Sequence, residues 1–252
     1  MKPLVLTPLE GIPLIQAGDD LAQLIQDSLK RQGLELQRGD VLVLAQKIVS
    51  KAEGRRVFLK NVKPSEQAKE LATQTEKDPH LVQLILDEST EILRARPGLI
   101  VVEHRLGFIS ANAGIDHSNV DEQEGWVLLL PKDPDASADA IRNRFQEASG
   151  ARLGVLIIDS HGRAWREGTV GVAIGVSGLP GVVDLRGRLD LFGRELRATT
   201  VGAADELAAA ASIVMGQAGE GCPAVHVRGF PYPLREGRLS ELLRPKEMDT
   251  FR

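Results

Sequence analysis

The sequence predicts an α+β fold, a mixed sheet with flanking helices. Three observations carry that expectation. Apolar runs of buried-strand length recur at Asp40–Ala45, Val155–Ile158 and Ala224–Arg228. Between them lie segments of helical character, with Leu21, Leu24, Ile25 and Leu29 spaced for one helix face and an Ala-rich stretch from Asp205 to Met215. Strands and helices alternate irregularly, which suits a mixed sheet better than a doubly wound parallel one. A chain of 252 residues can bury a sizeable core, as one large domain or as two interlocked lobes.

Taken in order, the chain opens with a short strand near Leu4–Leu6 and the turn Glu10-Gly11-Ile12-Pro13-Leu14-Ile15. Asp19-Asp20 then precede the first amphipathic helix, where acidic side chains complement the positive helix end. Gly33 ends that helix. The Asp40–Ala45 strand leads into Gln46-Lys47-Ile48-Val49-Ser50-Lys51-Ala52-Glu53-Gly54. Helical composition runs from Pro64 to about Glu88, divided near Asp78-Pro79. Strands are expected at Leu99–Glu103, Leu106–Ser110 and Val127–Leu130. Asp133-Pro134-Asp135 opens a helix reaching Gly150, and the strand before Asp159 follows. Glycines through Gly168–Gly181 predict bends and close backbone approach. The Ala-rich helix passes into Gly216-Gln217-Ala218-Gly219-Glu220-Gly221-Cys222-Pro223, and a strand ends near Arg228. Beyond Gly229 the Pro- and charge-rich composition predicts a loose tail, so the division expected is a domain at 1–230 and a tail at 231–252.

Composition excludes several classes. A net charge of −4 argues against a sequence-independent nucleic-acid binder. No apolar run approaches the roughly 20 residues that span a bilayer, and the N-terminus lacks a secretory apolar core, so a cytoplasmic location without membrane contact is expected. The single cysteine, Cys222, allows no internal disulfide and no Cys cluster for zinc. Its place beside Pro223 suits a packed thiol better than a nucleophile. No P-loop, no Gly-x-Gly-x-x-Gly after a strand and no Gly-x-Ser-x-Gly elbow occurs. His226 falls within a strand and reads as structural, whereas His117 and His161 fall beside suspect turns.

Two segments carry the chemistry. Val155–Ile158 ends in Asp159-Ser160-His161-Gly162-Arg163, and Phe108-Ile109-Ser110 runs into a turn bearing Asn112, Asp116, Ser118 and Asn119. Oxygen ligands suit a hard cation, and an Arg suits anionic oxygens. An Asp in a turn also serves the turn itself by accepting backbone hydrogen bonds. Arg186, Arg188, Arg194 and Arg197, with Arg163 and Arg166 before them, either hold an anion or form a solvated, salt-bridged face. The Gly216, Gly219, Gly221 loop is either a flexible connection or a backbone cradle for phosphate. Two acidic turns, a glycine loop and an arginine cluster in one chain make a shared metal–nucleotide site the economical expectation.

The strings Glu10-Gly11-Ile12-Pro13-Leu14-Ile15, Val49-Ser50-Lys51-Ala52-Glu53-Gly54, Asn112-Ala113-Gly114-Ile115-Asp116-His117-Ser118-Asn119, Ile158-Asp159-Ser160-His161-Gly162-Arg163 and Gly187-Arg188-Leu189-Asp190-Leu191-Phe192-Gly193-Arg194-Glu195-Leu196 occur in one order. Together, from about Leu4 to about Gly229, they resemble the coenzyme F420-0:L-glutamate ligase family. The resemblance implies a GTP-dependent acid–amino-acid ligase that joins L-glutamate to F420-0 through an acyl phosphate, with a second, γ-linked glutamate as a further step. It implies two divalent sites for Mg or Mn, a helpful K, and an intertwined homodimer. The nitroreductase-like domain that follows the ligase in some relatives is not expected here.

By the same resemblance Asp116 and Asp159 hold the first metal, and Ser160 and Gln217 the second. Gly11, Ile12, Pro13, Leu14, Lys51, Asn119 and the loop Met215, Gly216, Gln217, Ala218, Gly219, Glu220, Gly221, Cys222 contact GTP. Gln46 and Lys47 stand where the family often has Ser-Thr, Ser160 where Thr is usual and Gln217 where Glu is frequent. Arg163, Arg188 and Arg194 are candidates, on charge alone, for the acidic substrate or the migrating phosphoryl group. Two other readings compete: a related ligase acting on another carboxylate, and a GTP- and metal-binding module without turnover.

Overall fold

The computed structural model describes residues 3–121 and 123–250. Among the described residues twelve strands and six α-helices follow one another as β1 (Val5–Pro8), α1 (Leu21–Arg31), β2 (Val41–Ala45), α2 (Gln46–Ala52), β3 (Arg56–Phe58), α3 (Glu66–Thr75), α4 (Pro79–Asp87), β4 (Ser89–Arg96) and β5 (Leu99–His104). They continue as β6 (Ile109–Ala111), β7 (Trp126–Leu128), α5 (Pro134–Ser149), β8 (Gly154–Arg163), β9 (Arg166–Ser177), β10 (Val183–Asp184), β11 (Thr200–Val201), α6 (Ala203–Met215) and β12 (Ala224–Arg228).

The helix boundaries have local causes. Asp20, Ser65, Asp78 and Asp133 each accept a hydrogen bond from a backbone N–H in the first turn of the helix that follows. Each cap is worth about 1 kcal/mol. Pro79 and Pro134 start their helices without wasting a donor, and Gly150 closes α5 in the left-handed region.

The main sheet has the order β1-β12-β2-β8-β9. Only β2 and β8 run parallel; the other neighbours are antiparallel, so the sheet is mixed. Alternation along β2 sends Leu42 and Leu44 to one face and Val41 and Val43 to the other. On the first face they join Ile25 and Leu29 of α1 and Ile141 and Phe145 of α5. On the second they join Leu207, Ala208 and Ala211 of α6. The result is three layers, helices on both sides of the sheet. A third apolar cluster lies apart, where α3 and α4 cover β5 and β7.

Glycine permits the close packing of this sandwich at β9. A side chain at Gly171 would meet the Ala208 carbonyl oxygen of α6 at 2.5 Å, and one at Gly175 the Pro134 carbonyl oxygen of α5 at 2.6 Å. Close approach was expected of this stretch; most of it is one long strand rather than a series of bends.

Three further expectations need correcting. The strand entering Asp159 does not stop there. It continues to Arg163 paired with β9, and its residues beyond Ile158 lose burial because the hairpin runs off the edge of the core. The strand expected at Leu106–Ser110 is shorter, because Gly107, at φ 93°, turns the chain tightly so that His104 N donates to Phe108 O. The segment after Gly229 is not loose. Phe230, Leu234 and Leu242 pack on the α6 side, Leu239 is buried, and Arg235 forms a two-pronged ion pair with Glu241 at 2.7 Å for each contact.

Candidate functional site

The carboxyl ends of the two parallel strands set the site. Ala45 and Ile158 are register partners, so the chain leaving β2 and the polar half of β8 begin side by side. Ligands collect at such strand ends because the loops leaving them diverge. Here the divergence leaves two cavities.

The smaller, about 350 Å³, is lined by Ile12, Pro13 and Leu14 from the loop after β1, by Gln46, Lys47 and Lys51 of α2, by Asn119, and by all of Met215–Cys222. The larger, about 910 Å³, includes Asp116, Arg163 and an apolar wall from β4, β5 and β6. Lys47, Asp159, Ser160 and Gln217 line both, so they stand at the junction. Gly11 lies just outside the smaller cavity, its carbonyl held by Arg31 Nη2 at 2.9 Å. Arg188 and Arg194 line neither. They sit in the segment between β10 and β11, where Asp190 Oδ1 accepts from the N–H groups of Phe192 and Arg194, each at 2.8 Å. That arrangement explains the Gly-Arg-x-Asp-x-x-Gly-Arg string as a self-contained turn.

Asp116 reaches the junction because three consecutive residues, Asn112, Ala113 and Gly114, have positive φ. The chain then straightens, and Asp116 exchanges both backbone hydrogen bonds with Leu128. Its Oδ2 accepts from Gln46 Nε2 at 2.5 Å and its Oδ1 lies 3.4 Å from Lys47 Nζ. Gln46 is itself fixed, since its Oε1 accepts from Ser50 Oγ at 2.8 Å. Burial, and then the negative charge of Asp159, raise the Asp116 carboxyl to about 6, against the pull of Lys47 and Gln46. The two carboxylates therefore act on one another although 43 residues separate them in sequence (159 − 116).

Around them the other polar groups are tied together. Ser160 Oγ donates to Gln217 Oε1 at 2.8 Å, and Gln217 Nε2 donates to Ser212 Oγ at 2.8 Å. Asn119 Nδ2 donates to the Ala218 carbonyl at 2.9 Å, joining the Asp116 segment to the glycine loop. Lys51 Nζ donates to the Asn119 carbonyl at 2.7 Å. Burial, then the nearby Arg56 and Lys47 charges, lower the Lys51 ammonium below its usual range. Glu220 Oε2 accepts from Ala218 N at 2.8 Å and braces the loop from within. Burial pushes the Cys222 thiol up, which suits packing and not nucleophilic attack.

Three contacts escaped sequence reasoning. Gln46 and Lys47, read as departures at a nucleotide contact, both hold Asp116. His161 holds Asp159, with Nε2 3.0 Å from Oδ2, and its ring lies 5.1 Å from Phe108, which stacks on the buried His104 at 5.1 Å. Adjacency offered a faint signal for His161, which is two residues from Asp159 on the same strand face. Nothing local marks Gln46, which is 70 residues from Asp116.

The donor chemistry fits a hard divalent cation, since Asp116, Asp159, Ser160 and Gln217 offer only oxygens. Among the described residues no three His, Cys, Asp or Glu side chains group as a complete metal cage. Two carboxylates with phosphate oxygens and waters completing the shell is how Mg commonly binds.

Residues 11–229 match the family model described as F420-0:Gamma-glutamyl ligase. The chain is 54% identical over 245 residues to the coenzyme F420:L-glutamate ligase of Methanothermobacter thermautotrophicus, covering 96% of each chain. It is 47% identical to the enzymes of the same name from Methanopyrus kandleri, covering 97% of each chain, and Archaeoglobus fulgidus, covering 97% of this chain and 95% of that one.

Proposed function

This chain belongs to the F420-0:gamma-glutamyl ligase family and is a ligase, and from that premise we propose that it joins L-glutamate to F420-0 at the expense of GTP. The observation that carries the reading is the junction. A cavity of nucleotide size and a larger one meet at Lys47, Asp159, Ser160 and Gln217, with Asp116 beside them. A reaction that moves a phosphoryl group from one molecule to another needs such a meeting point.

A carboxylate is inert to amines until one of its oxygens becomes a good leaving group. An F420-0 carboxylate oxygen attacks the γ-phosphorus of GTP, and the bond to the bridging oxygen breaks to release GDP. The glutamate amine then attacks the carbonyl carbon of the acyl phosphate, inorganic phosphate leaves, and the amine gives up a proton. Atoms and charge balance with no oxidant or reductant. Phosphoryl transfer asks mainly for alignment and charge neutralisation.

The chain supplies both. The Met215–Cys222 backbone and Ile12–Leu14 enclose the nucleotide, and Lys47 and Lys51 place positive charge at its phosphate end. Asp116, Asp159, Ser160 and Gln217 would hold the divalent cations, Mg or Mn, which when bound would neutralise the phosphate oxygens. His161 occupies one oxygen of Asp159 and so fixes which oxygen faces the junction. Arg163 lines the larger cavity and faces the acceptor. Gln217 contributes an amide oxygen in place of a charge, which weakens the second cation without changing the reaction class.

A second glutamate joined through its γ-carboxylate, assistance from K and a homodimer of interlocked lobes belong to the same proposal. The β10–β11 segment, whose Leu191 and Phe192 are 98% and 85% exposed, suits burial against another copy. Light scattering that returns a monomer mass would remove the dimer. Mass spectrometry of a mixture of F420-0, GTP, glutamate and Mg tests the main reading. One added glutamyl group per GDP formed is expected; GDP without a glutamylated product, or no GDP, would refute it.

A further inference from the structure

The C-terminal segment forms part of the larger cavity. After the buried Leu239, the chain crosses the β4–β5–β6 sheet and is fastened there twice. Leu243 sits against the Gly107 turn, where a side chain on that glycine would meet Leu243 Cδ1 at 2.8 Å. Lys246 Nζ lies 2.6 Å from Glu103 Oε2 on β5 and 3.3 Å from Glu91 Oε2 on β4. Between these fastenings lies Arg244, which lines the larger cavity, as does Asp249 further on.

Arg244 joins a particular part of that cavity. Apart from the residues shared at the junction, the charged lining is Arg94 from β4, Arg163 and Arg166 from the β8–β9 hairpin, Arg244, and the carboxylates Asp116 and Asp249. Asp116 belongs to the junction group, through Lys47 and Asp159. Among the described residues beyond the junction, four guanidinium groups, two of them from one hairpin, thus line the cavity together with one carboxylate. Leu93, Leu99, Val101 and Ile109 give the remaining wall an apolar part, and Ser110, Ser118, His161 and Thr169 a polar one. A volume of about 910 Å³ far exceeds what an amino acid fills, so the occupant is the larger substrate.

We propose that the segment from Leu243 to Asp249 is a wall of the acceptor site, and that Arg244 binds an oxyanion of the acceptor distinct from the carboxylate that is ligated. Resting on the ligase reading above, this adds a binding residue to the large substrate's site. Arginine recognises such a group through paired N–H donors, and lysine offers charge without the fork. Lys246 acts at one remove, as a positioning residue that holds the segment on β4 and β5.

The test is steady-state kinetics of the full chain with F420-0, GTP and glutamate varied in turn, for wild type, Arg244→Ala, Arg244→Lys and Lys246→Ala. Arg244 is exposed, so its variants retain the fold. Arg244→Ala is expected to raise the KM for F420-0 about tenfold, with kcat and the KM values for GTP and glutamate within about twofold. Arg244→Lys recovers part of the loss, and Lys246→Ala raises the same constant by a smaller factor. An unchanged KM for F420-0 in Arg244→Ala, or a rise in the glutamate KM instead, overturns the proposal. A wild-type protein that yields no glutamylated F420-0 overturns the ligase reading and this inference with it, and the wild-type arm alone separates that outcome from the others.

Discussion

The two ends of β2 lie beside two carboxylates with opposite provision. Before the strand, Asp40 accepts from His226 at 2.8 Å, from Arg228 at 3.0 and 2.7 Å, and from Gln37 N at 2.8 Å. Burial pushes its carboxyl up, but these donors outweigh it and hold the group well below the usual carboxylate range. After the strand, Lys47 and Gln46 oppose burial and Asp159 at Asp116 without overcoming them, and its carboxyl rises to about 6. The two ends of one strand thus adjoin a carboxylate that stabilises the fold and one, brought in from the turn before β7, that costs stability. Groups reserved for a cofactor are those left short of partners by the protein itself.

The comparison breaks most sharply by substitution. Asp159→Asn is expected to reduce turnover by about 10³-fold while the circular dichroism spectrum and melting temperature stay near wild type, since a carboxylate that would hold the cation is removed from a polar site. Wild-type turnover in that variant would take Asp159 out of the chemistry. Asp40→Asn is expected to do the reverse. Leaving Arg228 and His226 without their counter-ion costs about 3 kcal/mol of stability, measured by urea unfolding, with turnover of the folded enzyme preserved.

A pH series sharpens the contrast because the signs differ. Asp40 is ionised in the folded chain below its ordinary value of 3.8. Its contribution is therefore fully present above about pH 4 and is lost as the pH falls through the folded value. Glu88, which burial raises but His104, Arg55 and Arg105 lower to about 2, behaves alike and is lost between about pH 4 and 2. Asp116 is protonated in the folded chain below about 6 and in the unfolded chain only near 3.8, so it gives up stability as pH rises from about 4 to 6. Without divalent cation, Asp116→Asn is expected to melt higher than wild type at pH 7, by about 1 kcal/mol, and to lose that pH dependence. A lower melting temperature in Asp116→Asn would place the residue with Asp40.

The smallest effect concerns Gln217. Gln217→Glu gains a charge facing Ser160 and loses the donor to Ser212 Oγ. Mn affinity measured by calorimetry is expected to rise severalfold, with little change in the KM for F420-0.

The same contrast marks what the sequence made legible. β2, the first half of β8, β12 and α6 were readable because apolar period and length describe their burial directly, and Asp20, Asp78 and Asp133 announced their helices. The second half of β8 was misread as a turn because a strand leaving the core carries polar residues, and its pairing with β9 is not a local property. The packing of residues beyond Gly229 depends on single side chains such as Leu239 and Lys246, which no periodicity exposes. At the site, residue types indicated oxygen ligands and an anion. Gln46 and Lys47, the partners that fix Asp116, come from a distant segment brought to it by the fold, whereas His161 shares the strand of Asp159. Arg188 and Arg194 drew attention by charge, whereas Asp190 explains their local order.

The most direct test is Mn bound in the presence of GTP, followed by electron paramagnetic resonance, in wild type, Asp116→Asn and Asp159→Asn. The two-carboxylate junction predicts tight Mn binding to wild type that weakens at least tenfold in both variants. Equal Mn binding by all three proteins would contradict it.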